Sequence, residues 1–175
     1  HVIDLAAQAP DAGERTRAGA LAALLTPVVN SFFTERGFQL ASDALQVFGG
    51  YGYVHEYRIE QILRDSRIAM IYEGTNQIQA LDLLQRKVLS GPDGLAPLLE
   101  VFAAEAALPS AHAASLQSWC DTLAQATHAL AQDAAQDAEL PARAAEDYLR
   151  LVGTVALAYT WCRAARVAQA LDPAH

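Results

Sequence analysis

Tyr148-Leu149-Arg150-Leu151-Val152-Gly153-Thr154-Val155-Ala156-Leu157-Ala158-Tyr159-Thr160-Trp161-Cys162 reads as a helix. Tyr148, Leu151, Val152, Val155, Tyr159 and Cys162 recur at three- and four-residue spacing, which lines one helix face rather than alternating across a strand. Such a stripe is a packing face. Leu116, Trp119, Leu123 and Leu130 repeat the pattern upstream, and Pro109 and Pro141 interrupt it, so helices are predicted over about 95–107, 111–136 and 141–171. Composition agrees: of 37 alanines, 24 lie after residue 100, and alanine is the best helix former.

In the first half, residues 1–9 read as the end of a helix that Pro10-Asp11-Ala12-Gly13 breaks, with a loop after it. Leu24, Leu25, Val28, Val29, Phe32 and Phe33 then recur at helical spacing. Thr26 can cap and Pro27 can take the first helical position, so a helix is expected from Pro27 to about Val47, with a kink at Pro27 as the alternative. Gly37 inside it reads as a tolerated glycine. Further helices are expected from about Tyr57 to Arg67 and from Glu73-Gly74-Thr75 to about Leu89. Ser90-Gly91-Pro92-Asp93-Gly94 punctuates, and the domain boundary is placed there, giving 1–91 and 92–175. The fold class is all-α, a helical bundle with a further helical extension.

The chain of 175 residues is 53% hydrophobic and 18% charged, enough apolar material for a real core. A net charge of -8 with scattered basic residues sets nucleic acid aside. No run approaches the roughly 18 apolar residues of a membrane span, and no basic-then-apolar leader opens the chain, so the reading is a soluble, cytoplasmic protein. Cys120 and Cys162, without a CxxC, suit reduced thiols. The five histidines form no HxxxH or HxxE pattern, so no metal site is expected. A chain that opens at His1 within an apolar pattern reads as part of something longer.

Two turns near helix ends could carry chemistry. Gln46-Val47-Phe48-Gly49-Gly50-Tyr51-Gly52-Tyr53 has three glycines in four positions, which favours a loop with positive φ and exposed N–H groups. It suits an anion cradle or a plain structural turn, and it lacks the lysine of a P-loop. Ile71-Tyr72-Glu73-Gly74-Thr75-Asn76-Gln77 places a carboxylate where a helix begins, beside a glycine and three hydrogen-bonding side chains. From the residues alone Glu73 is either a base or an acid that complements the helix dipole.

The stretch from Leu45 to Leu89 resembles the C-terminal helical domain of the acyl-CoA dehydrogenase family. The glycine turn, Arg64-Asp65-Ser66-Arg67-Ile68, and Ile71-Tyr72-Glu73-Gly74-Thr75-Asn76-Gln77-Ile78-Gln79 stand in that family's order and spacing. Weaker similarity covers Leu24–Pro27 and Tyr148–Gly153, as in the longer subgroup with an extra C-terminal helical region, which includes methylthiopropanoyl-CoA dehydrogenases. The resemblance implies an FAD enzyme that desaturates an acyl-CoA thioester between its α- and β-carbons, with Glu73 as the α-proton base. It implies that Tyr72 and Gly74 line the acyl and thioester site, and that Thr75 and Gln77 contact FAD. Gln46, Gly49 and Gly50 match a loop that reaches the FAD of a neighbouring subunit, so a homo-oligomer is expected, with electron-transfer flavoprotein as acceptor. Arg64 and Asp65 are read as a structural pair.

The family's N-terminal helical domain, middle β-barrel and early C-terminal helices lie outside these 175 residues. The isolated chain is therefore expected to be inactive and to purify without a flavin absorbance band. An acyl-CoA oxidase, or a helical assembly module for residues 92–175, are the alternative readings.

Overall fold

The computed structural model describes residues 2–72 and 74–171, and every regular element among them is helical. Asp11 caps the second helix, its carboxylate accepting from Glu14 N–H at 2.7 Å. That helix begins directly at Ala12. Where the sequence suggested a loop after Gly13, the chain forms one long rod: α2 (Ala12–Val28), a π-helical turn (Val29–Phe33) and α3 (Thr34–Val47). α1 (Val2–Gln8) packs on α2.

Pro27 is interior to this rod rather than at its start. It has no N–H to give to the carbonyl four residues back, which is that of Ala23. Lys87 supplies the missing donor: its Nζ reaches Ala23 O at 2.6 Å while also pairing with Asp82 at 2.7 Å. A tertiary contact thus satisfies the carbonyl that the proline frees, and the change to π geometry follows within two residues. At Gly37 an added Cβ would meet nothing, so that glycine is tolerated rather than needed.

Beyond α3 come short 3-10 turns at Gly49–Tyr53 and His55–Tyr57, then α4 (Ile59–Arg67) and a 3-10 turn at Ile68–Met70. The next helix, α5 (Asn76–Leu81), continues as a π stretch (Asp82–Leu89). Three helices complete the chain: α6 (Ala96–Ala106), α7 (Ala113–Asp133) and α8 (Leu140–Leu171). Most of the stripe residues read from the sequence are buried, with Leu116, Leu123, Val152, Val155 and Cys162 all at 1% exposure or less, but Trp119 is 41% exposed, on the rim of the α7 packing face rather than in it.

α8 is the central strut. It touches α2, the π turn, α5, the π stretch, α6 and α7. One hydrophobic cluster joins Leu24, Val28 and Phe32 to Leu84, Phe102, Leu116 and Val152, running across the Ser90–Gly94 punctuation. α8 approaches the rod tightly at Gly153, where an added Cβ would stand 2.4 Å from Phe32 Cγ. Here the glycine is a packing requirement. Gly153→Ala is expected to destabilise by about 1–3 kcal/mol in urea unfolding, because overpacking exceeds alanine's helix-propensity advantage of up to about 1 kcal/mol. Phe32→Leu in the same background is expected to restore part of the loss.

Glu105 on α6 is buried and accepts two hydrogen bonds from Arg166 on α8, at 2.6 and 3.0 Å. The Arg166 guanidinium holds its carboxyl below the ordinary value of 4.5 against the opposing effect of burial. A carboxyl lowered in the folded state stabilises above its unfolded value and loses that contribution as pH falls through the folded one. Glu105→Gln is expected to be less stable than wild type at pH 7, with the gap closing as the pH drops below about 4.5, as followed by thermal melts across pH.

Candidate active site

A hinge whose described residues are 68–72, 74 and 75 joins α4 to α5. The backbone N–H groups of Ile71 and Tyr72 both donate to Ile68 O, at 2.9 and 3.2 Å, and so close the 3-10 turn. Ile68, Ile71, Tyr72 and Ile78 are all more than half exposed, which gives the hinge an apolar outer surface. Glu73 lies outside the described residues. Gly74 has φ +101°, a conformation that L side chains rarely adopt, and an added Cβ would also meet Gln79 Nε2 at 3.1 Å. Its glycine is therefore a backbone necessity.

The helix starts later than the sequence suggested. Thr75 is its N-cap, extended at φ -66° and ψ 159°, and its Oγ1 accepts from Ile78 N–H at a long 3.5 Å. As acceptor in that bond, the hydroxyl keeps its own proton for another partner. Gln77 is exposed on the first turn. Asn76, which the sequence reading left without a role, buries its Oδ1 with no hydrogen-bond partner among the described residues.

Gln46 lies exposed on the last turn of α3, with Gly49 and Gly50 exposed just beyond it. The glycine segment is a 3-10 turn rather than an open loop. Of its three glycines, Gly49 alone has a positive φ, of +58°. Gly52 is required for a different reason: a Cβ there would stand 2.5 Å from Leu45 O. An aromatic cluster holds the turn from outside, with Phe48 and Tyr51 at 6.1 and 5.3 Å from the Tyr57 ring. At Gly49 and Gly50 an added Cβ would meet nothing, so their backbone faces open space.

The two turns have different neighbours. The glycine turn packs on α3 and α4, whereas α5 packs on α2, the π turn and α8. Gln46, Gly49 and Gly50 thus form one exposed group, and Tyr72, Gly74, Thr75 and Gln77 form another.

Arg64, expected to pair with Asp65, instead donates its Nε–H to Glu60 Oε2 at 2.8 Å, one helical turn back. His55 Nδ1 lies 3.1 Å from the other oxygen of Glu60. The Arg64 hydrogen bond, followed by that of His55, holds the Glu60 carboxyl below its ordinary range. The three residues tie the end of the glycine turn to α4. Among the described residues, no group of three or more His, Cys, Asp or Glu side chains is placed to hold a metal.

The sequence reading also missed a polar cavity between the two halves of the chain, where Asn76 meets Ser31, Glu35 and Arg150. Its members come from distant parts of the sequence, and the orphan amide next to the Tyr72–Thr75 segment was the one local signal. A second recess, lined by His112, Trp119 and Trp161, lies between α7 and α8.

The described residues form an all-helical bundle that presents a glycine turn and an apolar, glycine-hinged helix start. Residues 3–88 match the acyl-CoA dehydrogenase C-terminal domain, and residues 95–175 match the family described as acetyl-CoA dehydrogenase C-terminal like. The chain belongs to the acyl-CoA dehydrogenase family. It is 36% identical over 96% of its length to the 3-methylmercaptopropionyl-CoA dehydrogenase of Ruegeria pomeroyi, of which the match covers 30%. It is 41% identical over 37% of its length to an acyl-CoA dehydrogenase of Bacillus subtilis, with 17% of that protein covered. The broad-specificity linear acyl-CoA dehydrogenase FadE5 of Mycobacterium tuberculosis shares 41% identity over 38% of the chain and 11% of its own length. The chain thus spans less than a third of each of these relatives. In fold it is similar to the solved structure of Bd2924 in its apo-form, at TM-score 0.56 and 23% identity, over 84% of this chain and 26% of that one. No helix among the described residues is long and apolar enough to cross a membrane.

Proposed function

We propose that this chain is the C-terminal part of a soluble, cytoplasmic, FAD-dependent acyl-CoA dehydrogenase that desaturates an acyl-CoA thioester at the α,β-bond. The observation that carries the reading is the bend at Gly74, with φ +101° and exposed Ile68, Ile71, Tyr72 and Ile78 on either side of it in sequence, within the segment that matches the family domain. In this reading Tyr72 and Gly74 line the acyl and thioester site. Glu73 removes the proton from the α-carbon, which the neighbouring thioester carbonyl acidifies. The exposed side chains of Ile68, Ile71 and Tyr72 offer apolar surface to such a site.

The residues assigned to FAD fit that group. Thr75 keeps a free hydroxyl proton, Gln77 and Gln46 are exposed, and Gly49 and Gly50 leave their backbone open to a close-lying phosphate or ribose. FAD, when bound, supplies the acceptor for the hydride leaving the β-carbon. Thr75 and Gln77 would hold the FAD of their own subunit, and Gln46, Gly49 and Gly50 that of a neighbour, because the two groups have different packing partners. The working form is then a homo-oligomer, and electron-transfer flavoprotein its electron acceptor. Residues 1–91 and 92–175 are two domains by descent that share one core, which argues against the tail being a detached assembly module.

The full-length protein with Glu73→Gln tests the base. Folding and flavin content are expected to survive. Anaerobic mixing with an acyl-CoA is expected to bleach the flavin about 10² to 10⁴ times more slowly than in wild type. Rapid bleaching, with a stability loss of about 1 kcal/mol, is instead the signature of an acid that only complements a helix end.

A further inference from the structure

The hinge is held from behind by the C-terminal extension. Past its first turn, α5 and the π stretch that continues it are anchored by apolar burial, with Ala80 at 1% exposure and Leu83 and Leu84 at 0%. Its start lacks that support. The Thr75 cap is long at 3.5 Å, and Gly74, just before it, is the residue with the widest backbone freedom. One further restraint on this end is polar. Asn76 lines a cavity of about 140 Å³ that Ser31 of the π turn, Glu35 of α3, and Glu146 and Arg150 of α8 complete.

Asn76 Oδ1 is a buried acceptor with no partner among the described residues, and burying an amide oxygen without a donor is as unfavourable as losing a hydrogen bond. The cavity can supply that donor. At about 30 Å³ per molecule of liquid water it has room for roughly four waters, among polar groups that can hold them. Its cation is Arg150, whose guanidinium carries five N–H groups and no acceptor. Arg150 meets Glu35 Oε1 at 3.3 Å and Asp147 Oδ1 at 4.0 Å, two long contacts that leave N–H groups to spare.

We propose that Arg150 is a positioning residue for the reactive hinge: through ordered water in this cavity it satisfies Asn76 Oδ1 and so fixes the first turn of α5 together with Gly74 and Thr75. The extension thereby acquires a part in the reaction without touching substrate. This rests on the reading of residues 72–77 as the reactive turn. It goes beyond that reading by assigning a task to α8, which lies in the other half of the chain.

The test uses the full-length flavoprotein with Arg150→Gln, Arg150→Lys, Asn76→Ala and the Asn76→Ala/Arg150→Gln pair. Arg150 is half exposed, so its replacement leaves the core intact. Arg150→Gln is expected to lower kcat about tenfold, with KM for acyl-CoA within about twofold, since a small misplacement of a reacting group costs rate rather than binding. Arg150→Lys, which keeps a charged donor, is expected to recover much of that loss. The double variant is expected to fall no further than the worse single one, because both changes break one contact. Amide hydrogen exchange of residues 76–80 is expected to quicken in Arg150→Gln while that of residues 152–156 does not. Unchanged exchange at 76–80, or losses that multiply in the double variant, would overturn the proposal. If wild-type protein shows no flavin reduction by any acyl-CoA, the functional reading fails by itself, and the exchange comparison alone decides whether Arg150 holds the start of α5.

Discussion

The architecture depends on a methyl group that is not there. Gly153 lets α8 lie with its backbone against the Phe32 ring, and that approach carries Leu149, Val152 and Ala156 into the cluster formed by Val28, Phe32, Ala80 and Leu84. A larger residue would lift the strut, and the interiors of the two halves would separate. Because protein interiors pack as densely as organic crystals, a gap of one methyl is felt by all the side chains around it. Two segments that match different family regions therefore behave as one packed body on either side of the Ser90–Gly94 turn.

A second constraint follows from the first. Pro27 belongs in the rod because the rod must pass beneath α8 without a break, yet it leaves the Ala23 carbonyl without its helical donor. Lys87 resolves this from the π stretch after α5, and Asp82 neutralises the ammonium as it does so. The rod, the π stretch and α8 are thus mutually braced. The side of α5 that faces inward is rigid for reasons far from the hinge itself.

What was legible in the sequence follows from which interactions are local. The stripes of α7 and α8 were readable because a helix face writes its period into the chain. The rod from Ala12 to Val47 was not, since Gly13 and Pro27 usually punctuate, and the Lys87 contact that makes Pro27 acceptable comes from 60 residues away. The Asp11 cap was a local signal that went unread: an acid followed three residues later by Glu14 at a helix start. At the hinge, the φ of +101° at Gly74 is a backbone reason for that glycine, separate from the close ligand approach expected from the sequence. The cavity at Asn76 could not be read, because its walls are assembled only when α8 docks.

The hinge thus stands between two unlike environments. In front, Ile68, Ile71, Tyr72 and Ile78 present apolar surface, and Val29, Phe33, Phe48 and Ile62 extend the exposed apolar character through the same half of the chain. Behind, the start of α5 meets polar and charged groups in a small wet space. Gly74 supplies the bend, Thr75 and Asn76 the grip, and α8 the surface to grip against.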